Sequence, residues 1–220
     1  MTDRITTSDL KQMLLTAAQC LRGQAGELSR LDSVAGDGDH GTTMMRVADQ
    51  LEAAVNDPAS ENPAALLRNC GWRVLSVDGG ASSALFGTFF LGMGEGAGES
   101  DPDCTAVAQI FASGLNAILK QTRARKGDKT MMDALEPAVA AVGRTAAAGD
   151  QISAVLESAA AAALEGADAT KTLVARFGRA KFLGEKTLGH ADAGATSVAL
   201  IFQGFSQALM ARREINHGGQ

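Results

Sequence analysis

The sequence predicts an all-α protein, and three observations carry that prediction. Over 220 residues there are only four prolines, no tyrosine and many alanines. Apolar residues recur at helical rather than alternating spacing. The segments so marked are short and separated by compact Gly- and Asp-rich breaks. A chain of this length can bury a sizeable core, as one large domain or two small ones.

Ser8 is a suitable N-cap for a first helix carrying Leu10, Met13, Leu14, Ala17 and Leu21. After an acidic loop, a second helix runs from Thr42 to Val55 and stops at Asn56-Asp57-Pro58. A third covers Pro63–Ser76, with Pro63 suited to the first turn and Leu66, Leu67, Cys70 and Val74 on one face. The lone Trp72 reads as packing. Asp78–Ser83 forms the next turn, before Leu85, Phe86, Phe89, Phe90 and Leu91, while Gly92–Gly98 reads as a frayed end and flexible loop. Helices follow over Thr105–Lys120, from Met131 through Val142, and over the alanine-rich Ile152–Leu164. A basic patch (Arg123, Arg125, Lys126) and the turn Gly127–Thr130 separate the first two. Residues 176–194 form a second polar hub, with Arg179, Lys181, Glu185, Lys186, His190 and Asp192. Ala195–Met210 closes the chain, with fraying expected from Arg212 onward.

This gives about eight helices joined by short polar turns, as in an up-and-down antiparallel barrel. No repeat or linker divides it, so residues 1–220 read as a single domain. The unusual residues sit on alternate connections, 32–43, 79–83, 122–130 and 179–194, and alternate connections of such a bundle share one end. A polar site at one rim is therefore expected.

The chemistry concentrates in Leu31–Arg46. Asp32, Asp37 and Asp39 stand among Gly36, Gly38 and Gly41, followed by His40, Thr42 and Thr43. Crowded carboxylates repel unless a cation neutralises them, and oxygen donors without cysteine suit Mg²⁺ or Ca²⁺. The loop fits the Gly-x-Gly-x-x-Gly expression, but no strand precedes it and its acids would repel a bare pyrophosphate. A phosphate fits only with metal between it and the aspartates, against the N-terminus of the following helix. The calcium-loop pattern is absent, and Gly184-Glu185-Lys186-Thr187 lacks the glycine–lysine step of a phosphate loop.

A net charge of −5 argues against nucleic-acid or anionic-membrane surfaces. Cys20, Cys70 and Cys104 lack paired spacing and read as buried free thiols in a reducing compartment. With no apolar run of spanning length and no signal-type stretch, a cytoplasmic location is expected.

Four motifs carry a resemblance over essentially the whole chain: GDGDHG, GGASSALFGTFF, GDKTMMDALEP and GRAKFLGEKTLGHADAGATS. They resemble the nucleotide-binding L subunit of dihydroxyacetone kinases and the C-terminal domain of the single-chain, ATP-dependent enzymes. The resemblance implies an eight-helix barrel with Mg²⁺ and ADP or ATP at its rim. It implies Asp32, Asp37 and Asp39 as metal ligands, and His40, Gly41, Thr42 and Thr43 on the phosphate side. It further implies nucleotide contacts at Ala81, Ser82, Thr122 and Met131, with Arg179, Asp192, Ala193 and Gly194 closing the site. Arg179 would supply counter-charge; no general base falls in this chain. His190 suits a structural or a functional role equally.

The implied activity is phosphoryl donation within a two- or multi-subunit kinase for dihydroxyacetone or a related keto-sugar such as a tetrulose. Its partners would be a K-type substrate-binding subunit and, for a retained ADP, a phosphotransferase-system phosphocarrier. Where the family pattern has other residues, this chain has Thr43, Ser83-Ala84 and Ala193, which favours exchangeable ATP over a retained ADP. A different class of reading is a non-catalytic nucleotide-sensing module that binds a regulator. The three intact aspartates favour catalysis.

Overall fold

In the computed structural model, residues 3–217 are described, with side chains through Arg212. Nine α-helices are found among them: α1 Thr7–Gly23, α2 Ala25–Asp32, α3 His40–Val55, α4 Pro63–Leu75, α5 Gly80–Gly96, α6 Cys104–Gln121, α7 Met132–Ala147, α8 Ile152–Ala169 and α9 Ala193–His217. Short 3₁₀ segments at Thr170–Thr172 and Arg179–Thr187 interrupt the α8–α9 connection. The all-α expectation holds. Eight helices close a ring in the order α1, α3, α4, α5, α6, α7, α8, α9 and back to α1, while the short α2 packs on α3 and α9.

Local chemistry sets the helix ends. Thr6, rather than Ser8, caps α1, in a capping box with Asp9 (Thr6 Oγ1 accepts from Asp9 N at 3.1 Å; Thr6 N donates to Asp9 Oδ2 at 2.8 Å). Asn62 caps α4 ahead of Pro63, and Asp103 caps α6. The barrel interior is filled by aromatic rings that meet across the ring as well as between neighbouring helices. Phe111 of α6 meets Phe202 and Phe205 of α9 at 5.4 and 6.2 Å, and reaches Phe89 of α5 at 6.4 Å.

Several expectations are corrected. Gly92–Gly96 is helical, because these glycines mark close helix approach rather than fraying. A Cβ at Gly92 would lie 2.5 Å from Ala117 Cβ, and one at Gly94 2.6 Å from Arg68 Cγ. The eight-residue α2 had no counterpart in the sequence reading, and α8 continues to Ala169. Arg212 lies within α9 and pairs with Asp9 at 2.7 Å, so the helix continues past the expected fraying point; residues 218–220 lie outside the described residues. Trp72 is 65 % exposed and packs into no core, and only Cys70 of the three thiols is buried. No helix among the described residues is long and apolar enough to cross a membrane.

The ring topology positions the site. Every second helix of an up-and-down ring begins at the same end. The starts of α3, α5, α7 and α9 (His40, Ala81 and Ser82, Met132, Ala193) therefore all line one cleft. Four helix N-termini turn their positive dipole ends there, an environment suited to an anion.

Candidate nucleotide and metal site

The cleft holds about 350 Å³ and draws its lining from all four connections that the sequence marked as unusual. That volume is at the low end for small-molecule sites. Leu31, Val34, Leu85, Phe86, Met131 and Phe177 give it an apolar wall, and Asp32 and Arg179 stand on its charged side.

Asp32 ends α2, and Asp37 and Asp39 follow on the 33–39 loop. One carboxylate oxygen from each lies within 4.8 Å of the others. Gly38, at φ +78°, turns the loop so that its N–H donates to Asp32 Oδ2 at 2.9 Å. Gly36 leaves space for the same carboxylate, since a Cβ there would lie 2.3 Å from Asp32 Oδ1. Asp39 occupies the N-cap position of α3 without capping it, which leaves its carboxylate to the cluster. Arg179 grips Asp37 through both oxygens, one bond at 2.9 Å, and holds that carboxyl down at about 2. Desolvation and then the neighbouring Asp37 push Asp39 upward. One guanidinium thus faces three carboxylates, and the excess negative charge favours a cation. All-oxygen donors of this number fit a hard divalent ion, so the residues present suit Mg²⁺.

His40 ties three helices at the base of the cleft. Its Nε2 lies 2.8 Å from Ser197 Oγ on α9, and its Nδ1 lies 3.3 Å from Ser82 Oγ on α5. Burial lowers its pKa, against an opposing pull from Asp32, so the ring is a neutral imidazole near pH 7.

The structure gathers most of the sequence-selected residues. Asp32, His40, Ala81, Ser82, Thr122, Met131, Arg179, Asp192, Ala193 and Gly194 all line the cleft, and Asp37 and Asp39 extend it outward through the carboxylate cluster. Three others lie outside the lining. Gly41 faces α2, Thr42 is exposed, and Thr43 is buried against Gly79. Of the departures that favoured exchangeable ATP, only Ala193 lines the cleft; Ser83 is buried and Ala84 exposed.

Two groups escaped the sequence reading. Asp133 accepts from Gly127 N at 2.6 Å and Thr130 N at 2.8 Å, fixing the turn before α7. Thr130-x-x-Asp133 is a capping-type pattern that could have shown it. Lys129, read only as part of a polar turn, is a buried residue of the cleft wall.

Asp192 accepts from Ala195 N at 2.7 Å, and burial raises its carboxyl to about 6, with Asp133 adding and Lys129 opposing. A folded pKa above the ordinary 3.8 means the native state binds the extra proton between those values, so this group's contribution falls as pH rises from about 4 to about 6. Asp192→Asn keeps the acceptor and removes the titration. Its melting temperature relative to wild type is expected to be higher at pH 7 than at pH 4. A difference that stays constant with pH would contradict this.

The fold and site define a helical barrel with a carboxylate cluster at the lip of an anion-suited cleft. A match to the DAK2 domain over residues 34–207 identifies the family, and the chain belongs to it. Among relatives, it is 35 % identical to the Listeria innocua "PEP-dependent dihydroxyacetone kinase 1, ADP-binding subunit DhaL", covering 82 % of this chain and 85 % of that one. It is 36 % identical to the Escherichia coli (strain K12) ADP-binding subunit DhaL of PEP-dependent dihydroxyacetone kinase, over 80 % and 84 %. It is also 36 % identical to an L-erythrulose 1-kinase of Mycolicibacterium smegmatis, over 90 % of this chain but 35 % of the relative. The dihydroxyacetone kinase of C. freundii, solved in complex with AMP-PNP and Mg²⁺, superposes with a TM-score of 0.65 at 27 % identity, over 90 % of this chain and 33 % of that one. The chain thus matches the ADP-binding subunits in length and spans about a third of these last two.

Proposed function

We propose that this chain is the Mg²⁺–nucleotide-binding, phosphoryl-donating subunit of a kinase of two or more subunits. Its sugar would be dihydroxyacetone or a related keto-sugar such as a tetrulose, presented by a separate K-type subunit. The observation that carries this reading is the juxtaposition of opposites at one rim. Four helix N-termini favour a polyanion inside the cleft, and a cluster of three carboxylates favours a cation at its lip. A metal-bridged phosphate satisfies both. The relatives' names support it: the length-matched ones are ADP-binding subunits, and the C. freundii structure holds AMP-PNP and Mg²⁺.

In this reading Asp32, Asp37 and Asp39 hold Mg²⁺, which when bound offsets charge on the phosphates. His40, Ser82 and the first-turn N–H groups of α3 and α5 orient the phosphate chain, Gly41, Thr42 and Thr43 contributing through the α3 backbone. Thr122 and Met131 border the base, and Asp192, Ala193 and Gly194 form the facing wall. Arg179 is 67 % exposed in its pair with Asp37, and such pairs are weak. It can therefore exchange that carboxylate for a phosphate oxygen and stabilise charge there. This chain's residues position and neutralise, which is most of what phosphoryl transfer asks of a protein.

The donor is either exchangeable ATP or a retained ADP recharged by a phosphotransferase-system phosphocarrier. The PEP-dependent and PTS-dependent names of length-matched relatives support the second. The positions that favoured the first mostly lie away from the cleft.

The test is a thermal-shift titration of the purified chain with ADP. Saturating ADP with Mg²⁺, at about 100 times Kd, is expected to add about 2.7 kcal/mol of stability. EDTA should remove that gain. A gain indifferent to EDTA, or no gain at all, would overturn the metal-bridged reading.

A further inference from the structure

Among the described residues, Lys129 is the only non-glycine residue with φ in the left-handed region, at +59°. An L side chain takes that conformation only where its surroundings impose it. Asp133 imposes it here, accepting from Gly127 N and Thr130 N on either side. The turn drives the lysine inward, where its Nζ donates to Thr170 O and His190 O, both at 2.6 Å. Burial lowers its pKa, with Asp192 and then Asp133 pulling the other way.

Thr170 is fully buried and extends the link. Its Oγ1 donates to Ala167 O at 2.6 Å and accepts from Asp192 N at 2.8 Å. One ammonium therefore joins three segments: the turn before α7, the end of α8, and the 190–194 strip that begins α9. A buried lysine is costly unless well paired. An ammonium carries three donors on one atom at the end of a long flexible stem. Two of the three are spent on backbone carbonyls, and one of these, His190, belongs to the cleft wall.

We propose that Lys129 is a positioning residue for the cleft: by clamping the Thr170 and His190 carbonyls together it fixes the His190–Gly194 wall, without itself bonding the nucleotide. This rests on the nucleotide-binding reading above. It separates two roles of a cation in such a site, since a phosphate partner loses its effect when the phosphates are absent and a wall clamp does not.

The experiment measures Mg²⁺–ADP and adenosine affinities by calorimetry, with adenosine by competition, for the whole chain and its Lys129→Met and Thr170→Val variants. Measurements are made well below each melting temperature, so that a loss of stability alone does not move affinity. Lys129→Met is expected to weaken both ligands by the same factor, on the order of tenfold as for other supporting-shell residues. Thr170→Val, which removes the Asp192 tie and the bond to Ala167 O but keeps the carbonyl that Lys129 holds, should weaken both equally but less. Unchanged affinities, or a loss confined to ADP, would overturn the clamp. Should Lys129→Met not fold, Thr170→Val decides by the same criterion. Wild-type protein that binds no Mg²⁺–ADP would instead overturn the nucleotide reading and this inference with it.

Discussion

Asp39→Asn is expected to weaken Mg²⁺–ADP binding by about 100-fold or more while leaving the helical circular dichroism unchanged. Removing an outer-shell partner of a metal typically costs 10–100-fold, and Asp39 is proposed as a direct ligand. Asp39 is the cleaner position to test than Asp37, whose loss would also release Arg179. Its carboxylate makes no cap bond to α3 and stands against two other acids. Without metal, neutralising it relieves repulsion, so the ligand-free melting temperature should hold or rise. Lost affinity with retained or improved stability is the signature of a functional group kept at the expense of stability. Calorimetry with and without Mg²⁺ measures it, and equal Mg²⁺–ADP affinity in variant and wild type would remove Asp39 from the ligand set.

Gly41→Ala is the second large effect, and it acts through packing. The added Cβ would lie 1.9 Å from Ala25 O and 2.6 Å from Ser29 Oγ. The nearest obstacle is backbone, so α2 must move as a body, and α2 buries Leu28 and Leu31 and ends in Asp32. A loss of about 3 kcal/mol is expected, the upper part of the overpacking range. For a chain of this size that is roughly 10 °C in Tm. The displaced Asp32 should weaken Mg²⁺–ADP binding as well. A Tm within 2 °C of wild type would show that α2 is held less firmly than the packing indicates.

The acidic loop was legible in the sequence because its message is local: acids and glycines at that density have few other uses. The helical barrel was legible for a similar reason, since helical spacing and alternating polar turns determine which ends coincide. What escaped depended on distant partners. Leu31, Val34 and Phe177 look like core residues until the ring brings them to one cleft. Gly41 looks like a flexible loop residue until α2 is set against it, and Gly92 and Gly94 look like fraying until α6 and α4 are in place. The α2 sequence AGELSRLD is too short and too polar to announce a helix. Lys129 reads as one residue of a polar turn because nothing nearby in the chain reveals the carbonyls of Thr170 and His190.

In the proposed function this chain donates a phosphoryl group and a separate subunit holds the sugar. The most direct measurement follows transfer of the γ-phosphate of ATP to dihydroxyacetone, first with the purified chain alone and then with an added K-type substrate subunit. No turnover alone and turnover on addition is the predicted result. Repeated cycles on ATP would identify an exchangeable donor. A single cycle resumed by phosphoenolpyruvate and phosphocarrier proteins would identify a retained ADP. Robust phosphorylation by the isolated chain, or none with the substrate subunit under either donor, would contradict the account.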